Sequence, residues 1–320
     1  MKIFGLLEDL MGCGFHRIQA PLFALKDRGH EVIVSHRPPK TPHYFDILQT
    51  QKFAMPELMP MWRALKKQGR PKLVIDMDDD LLNLPAWNQA KPFYSIPEIR
   101  ANLIECLGTA DLVTVSSPHL AELYKRHNDN IVVLPNYLPK EVIRPARLNR
   151  PFQLGWTGGQ SHDRDLDSIA VAVNGFLTIE EDQTFTILGQ DYTHKFKRSK
   201  WYPWEPYEGY INRIRAKLSV GIAVVDDDPF NKGKSDIKLL EYGIAGALPV
   251  YSRKPPYLSP RVAGVAVGDS VQDWVNAFLW ILDNPEKRLE LASMAYDMAK
   301  GQSHALNYMD RLEAYERLLA

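Results

Sequence analysis

Short apolar runs rich in β-branched residues alternate with longer stretches whose apolar positions recur at helical spacing, and this alternation predicts the fold. From the amino end the strand-like runs fall at residues 3–7, 31–35, 45–50, 73–77, 112–116 and 131–134. Residues 135–151 are proline-rich, of mixed charge and without apolar periodicity, and read as a linker. A second series follows at 153–156, 184–188, 220–225, 248–251 and 262–267. Two blocks of alternating strands and helices predict an α/β protein made of two Rossmann-like, doubly wound domains, residues 1–147 and 148–302. Such sheets take ligands at the carboxyl ends of their strands, so the two domains are expected to face a common cleft. Residues 273–320 are nearly all helical in pattern, broken near Asp283-Asn284-Pro285 and at Gly301.

Composition narrows the function classes. The 320 residues suffice for two cores, and 39 basic against 39 acidic side chains leave no net charge. Any attraction to nucleic acid or an anionic membrane therefore has to be local. Cys13 and Cys106 lack metal-ligand spacing and read as two free thiols of a reducing compartment. Glu8 and Asp9 cut short the first apolar run, which argues against a signal peptide, and no stretch approaches ~20 apolar residues. The expectation is a cytoplasmic protein with no stable membrane insertion.

Residues 220–250 carry the densest chemistry: a buried strand, an acidic turn bearing lysines, then a helix. Ser235 is the expected N-cap, Ile237, Leu239, Leu240 and Ile244 the apolar face, and Gly246 with Pro249 the stop. Lys232, Lys234 and Lys238 surround the positive end of the helix dipole, an anion site, and Glu241 lies two turns inside, within reach of a ribose hydroxyl. Gly233-Lys234-Ser235 repeats the end of a Walker A loop, but Asp228 stands where that loop needs glycine. With Asp226 and Asp227 it would repel a wrapped phosphate, which argues against an NTPase.

The other strand ends hold weaker signals. Gly12 and Gly14 in the first strand-to-helix turn permit close approach of a phosphate, and Arg17 follows on the next helix. Arg17 replaces the third glycine of a dinucleotide fingerprint, and no acid ends the next strand, so a nicotinamide cofactor is not expected. Asp76, Asp78, Asp79 and Asp80 crowd one strand tip, where carboxylates can accept sugar hydroxyls, act as a base or bind Mg²⁺, or simply cap a helix. Gly158 and Gly159 mark the first turn of the second domain, Ser161 is a candidate cap, and His162 or Arg164 a candidate phosphate contact. The histidines show no zinc spacing and there is no Gly-x-Ser-x-Gly elbow. Residues 194–207 interleave cations with aromatic rings, the composition of a single-strand nucleic-acid platform, but read better as a surface loop with Trp201 and Trp204 packed inward. Residues 55–67 form an amphipathic basic helix with a membrane-surface composition.

Over most of its length the chain resembles the GT-B glycosyltransferases, particularly the family-four-like members of bacteria and their phages. The resemblance rests on GCGFHRIQAPLFALKDRGHEVIV, VIDMDDDLLNLP, ADLVTVSSPHLAELY and NIVVLPNYLP in the first domain, and on LGWTGGQSHDRDL and VGIAVVDDDPFNKGKSDIKLLEYGIAG in the second. It implies a UDP- or GDP-sugar donor held mainly by the second domain and an acceptor hydroxyl on a glycan, protein or modified DNA bound by the first. It further implies transfer with retention and without an obligatory metal, and a closing helix, 303–320, packed back on the first domain. Glu241 matches the second acid of the family's Glu-x7-Glu motif, whose partner is the ribose, whereas Gly233 stands at the first. Gly12 and Gly14 match the turn that approaches the donor diphosphate, with Arg17 beside it. Asp78, Asp79 and Asp80 stand near the polar residue that faces the reaction centre, and Lys234 and Lys238 are the candidates for neutralising the diphosphate. Gly233 also opens a non-catalytic alternative, a nucleotide-sugar or glycan-binding protein. Residues 194–207 open another, an enzyme acting on hydroxymethylated DNA bases.

Overall fold

The computed structural model describes residues 1–9 and 12–320, so Leu10 and Met11 of the first glycine turn lie outside the described residues. The chain divides into two compact units. The first comprises Met1–Pro139, Lys232–Ser235 and His304–Ala320, and the second Lys140–Asn231 and Asp236–Ser303.

Each unit holds a six-stranded sheet in which every pairing is parallel, with helices between the strands. In the first unit β1 (Lys2–Leu6), β2 (Glu31–Ser35), β3 (Ile47–Gln51), β4 (Lys72–Met77), β5 (Leu112–Val115) and β6 (Ile131–Val133) lie in the order β2-β1-β3-β4-β5-β6. In the second, β7 (Leu154–Gly158), β8 (Phe185–Gly189), β9 (Ser199–Tyr202), β10 (Val220–Ala223), β11 (Leu248–Ser252) and β12 (Val265–Val267) lie in the order β12-β11-β10-β7-β8-β9. The winding reverses between β1 and β3 in one sheet and between β7 and β10 in the other. In open α/β sheets the crevice beyond such a reversal is where ligands bind.

The predicted fold class, two Rossmann-like doubly wound domains, is the observed one. Strands covered on both faces read as continuous apolar runs, which is why most were visible. Ile3, Val32, Ile47, Val74 and Leu112 form the first core with Ile18 and Leu22, and Ala314 and Tyr315 of the closing helix Met309–Leu319 join it. Trp156, Ile187, Val220 and Val250 form the second core with Phe176 and Phe278.

Local expectations differ at three places. The helix after β10 spans Ile237–Ile244 with Asp236 as N-cap and no side-chain cap bond, so Ser235 lies outside it. Likewise the helix Asp163–Ile179 follows a short turn, Gln160–His162, and Ser161 caps nothing. Within residues 194–207 the chain forms the edge strand β9, and Trp201 and Trp204 are 43% and 44% exposed rather than packed inward. Among the described residues no helix is long and apolar enough to cross a membrane. Both cysteines are free.

Candidate functional site

In the second unit the reversal between β7 and β10 gathers polar side chains around Thr157. Lys238, in the first turn of Ile237–Ile244, donates to the Thr157 carbonyl and lies 5.2 Å from the Trp156 ring centroid. It is 8% exposed. A side chain at Gly158 would put its Cβ 2.4 Å from the Trp156 ring and 3.1 Å from Lys238 Nζ, so only glycine leaves the ammonium uncovered there. Glu241, 6% exposed, stands one turn along the same helix face. Its Oε2 accepts from Tyr210 Oη at 3.0 Å, and Tyr207 makes a second contact with the carboxylate. Thr157 Oγ1 is 2.8 Å from Tyr210 Oη, so one hydrogen-bonded chain joins Thr157 to Glu241. Burial, then the charge of Glu241, pushes both phenols well above their usual range, which keeps them as donors.

Aromatic surface adjoins this group. Trp204 lies against Gly189, with its ring 2.9 Å from the position of an added Cβ there, and is 5.3 Å from Tyr210 between centroids. Its other face is open. Three cations of the same segment are engaged: Lys195 pairs with Asp163 at 3.0 Å and with Asp167, and Lys197 donates to Thr178. The third, Arg198, closes the helix Asp163–Ile179 by donating to the Leu177 and Glu180 carbonyls. His162 bonds Asp165 at 2.7 Å, and Asp165 also accepts from Asp226 N and Asn231 Nδ2, which ties the acidic turn after β10 to the helix Asp163–Ile179.

In the first unit Arg17 is not an anion contact. It sits in a π-helical turn, Phe15–Gln19, is 1% exposed, and grips Asp76 through Nε at 2.8 Å and Nη2 at 3.0 Å. Nη1 donates to the Leu134 carbonyl and to Asn136 Oδ1 at 2.8 Å. Because arginine only donates, the Asn136 oxygen must face it and the amide NH₂ must face away. That NH₂ donates to Ser235 Oγ at 2.8 Å, and Ser117 Oγ donates to the Gly233 carbonyl at 3.0 Å. Ser235 thus anchors the segment Lys232–Ser235 instead of capping a helix. At the glycine turn, Gly12 has φ of 57° and Gly14 N donates to the Asp9 carboxylate at 3.1 Å.

The three aspartates have separate tasks. Asp80 accepts from the backbone and side chain of Asn83, holding a turn. Asp78 pairs with Lys52 at 2.9 Å; burial, the largest influence, would raise its pKa, but Lys52, Cys13 and Arg17 together outweigh it and keep it below the usual range. Asp79 is raised by burial against the pull of Lys234, its strongest opposing charge, with Asp78 adding to the rise. The structure therefore brings Asp79 and Lys234 together. Lys52 was not foreseen: it follows β3 in a left-handed conformation, φ 48°, a strain of about 1–2 kcal/mol for a non-glycine residue. It is held there between Asp78 and Glu8, whose carboxyl is raised by burial and accepts from Tyr94 at 3.1 Å. Among the described residues no cluster of His, Cys, Asp and Glu is arranged to hold a metal.

No protein-family model matches the sequence, and no curated protein matches it. Solved structures do. The chain is similar to HepE of Anabaena, solved with UDP and glucose, at 12% identity over 98% of each chain with a TM-score of 0.68. An alpha-glucosyltransferase solved with UDP-glucose and DNA containing an abasic site gives the same identity, coverage and TM-score. The fold is GT-B. AviGT4, a glycosyltransferase of avilamycin A biosynthesis, matches 99% of this chain and 98% of its own at 12% identity and a TM-score of 0.61. In the GT-B frame the Thr157, Lys238 and Glu241 group and the Asp79 and Lys234 pair each lie at a carboxyl-end reversal or strand tip of their own sheet, where the fold places ligands.

Proposed function

We propose that the chain is a glycosyltransferase that moves a hexose-like unit from a UDP-sugar to a hydroxyl acceptor, with retention and without an obligatory metal. The observation that carries the reading is the joint placement of Lys238 and Glu241 beneath Gly158 at the β7–β10 reversal. Lys238 neutralises the diphosphate as negative charge develops on it, the work a divalent ion does elsewhere. Glu241, aligned by Tyr207 and Tyr210, accepts from the ribose hydroxyls, and the open face of Trp204 stacks the base. Arg17 acts behind the site by orienting Asn136, and Asp79 is the acid of its cluster assigned to face the transferred sugar. The choice of uracil follows the nucleotides bound by HepE and by the alpha-glucosyltransferase.

The DNA-acceptor alternative loses part of its support, because Lys195, one of the cations it relied on, is paired with Asp163 and Asp167 within the second unit. The test is a panel of nucleotide sugars, with and without chelator, followed by mass spectrometry of the released diphosphate. Proton NMR of the first product reads the anomeric configuration. Release of no nucleoside diphosphate from any donor rejects an enzyme and leaves a binding protein. Glu241→Gln is expected to weaken UDP binding about tenfold, the value of one hydrogen bond to a charged group. Unchanged calorimetric affinity would remove Glu241 from the ribose.

A further inference from the structure

At the amino-terminal end of the central strands of the second sheet, Arg147, Arg150, Arg215 and Arg288 collect around the end of the helix Ile237–Ile244. Residues 146–148 run along Gly246, with the Ala146 Cβ and the Leu148 side chain 3.0 and 2.9 Å from where a Cβ on that glycine would lie. Arg150 donates to the Arg215, Ala245 and Gly246 carbonyls, Arg215 to those of Val142 and Ile244, and Arg288 to that of Arg150. Carbonyls satisfy N–H groups without supplying a counter-charge. The helix end is equivalent to only about half a negative charge, set against four cations. Among the described residues none of the four pairs with a carboxylate; the nearby Glu208 is bound to Arg144 at 2.7 Å. The Nε–H groups of Arg150 and Arg215 are buried and have no partner, a condition that in folded proteins usually signals a bound water or ion. Burial, then Arg147, Arg215 and Arg288, pushes Arg150 down to about 10. Arg150, Arg215 and Arg288 are half-buried residues and Arg147 is exposed.

We propose that this arginine cluster binds a phosphate group, free or carried by a small metabolite, at the amino-terminal end of the second sheet, opposite the strand ends beside Lys238 and Glu241. Guanidinium edges match tetrahedral oxyanions bidentately, and a dianion would supply the charge that the carbonyls cannot. The site does not depend on the glycosyltransferase reading.

Calorimetric titration of the whole protein with inorganic phosphate and with glucose 1-phosphate, at fixed ionic strength in chloride, tests it. Saturable binding is expected, weakened about tenfold by Arg147→Gln and lost in the Arg147→Gln, Arg288→Gln double variant, and unchanged in Lys238→Met. Arg150 and Arg215 are left intact because they hold backbone carbonyls. Tighter binding of glucose 1-phosphate makes the natural ligand a phosphomonoester, and equal binding makes it free phosphate. Absence of saturable binding overturns the proposal, as does binding indifferent to Arg147→Gln or binding abolished by Lys238→Met. Should the double variant not fold, the single variant decides.

Discussion

Asp76→Ala is expected to lower the stability of the first unit by about 3–5 kcal/mol, a large share of the 5–15 kcal/mol that holds a typical domain together. The reason is the charge left behind. Arg17 and Asp76 are 1% and 0% exposed, and Thr114 Oγ1 also donates to Asp76 at 2.5 Å, so removing the carboxylate strands a guanidinium out of reach of water. Truncating Arg17 as well, in Asp76→Ala with Arg17→Met, should recover part of the loss, because the unpaired buried charge costs more than the missing attraction. Urea denaturation followed on a probe in the first unit measures both. A single-variant loss below about 1 kcal/mol would mean that water already reaches the pair and that the Arg17–Asn136–Ser235 chain is not rigidly held.

That pair also shows where sequence reading stops. Apolar runs report burial directly, so the two sheets were legible; β9 was not, because an edge strand reading Ser-Lys-Trp-Tyr has a polar, exposed face and no apolar run. The helix bearing Lys238 and Glu241 was legible because its cations, apolar face and acid are spaced within a few turns. Arg17 looked like an anion contact only because its true partner lies 59 positions away. The same holds for Tyr210, 31 positions from Glu241, and for Lys52, which binds Asp78. One signal for Lys52 was present: Gln49-Thr50-Gln51 places three polar residues in a strand that is buried throughout, next to the lysine. Buried polar runs require partners or a function.

Lys238→Ala, correctly folded, is expected to lose about a hundredfold in kcat, corresponding to ~3 kcal/mol of transition-state stabilisation. Negative charge grows on the diphosphate as the sugar leaves, so a preorganised ammonium contributes more in the transition state than in the bound donor. The loss should therefore fall mainly on kcat, with a smaller change in UDP-sugar affinity. An ammonium has three donors, so Lys238 can keep its bond to the Thr157 carbonyl while reaching phosphate past Gly158. Arginine should rescue poorly, because its planar, longer guanidinium does not reproduce the point charge that Lys238 places beside the Trp156 ring. Single-turnover and steady-state kinetics on the three proteins separate these effects. Near-normal kcat in Lys238→Ala would leave Lys238 as a strut for β7 and move the burden of neutralising the diphosphate onto the N–H groups of the helix start.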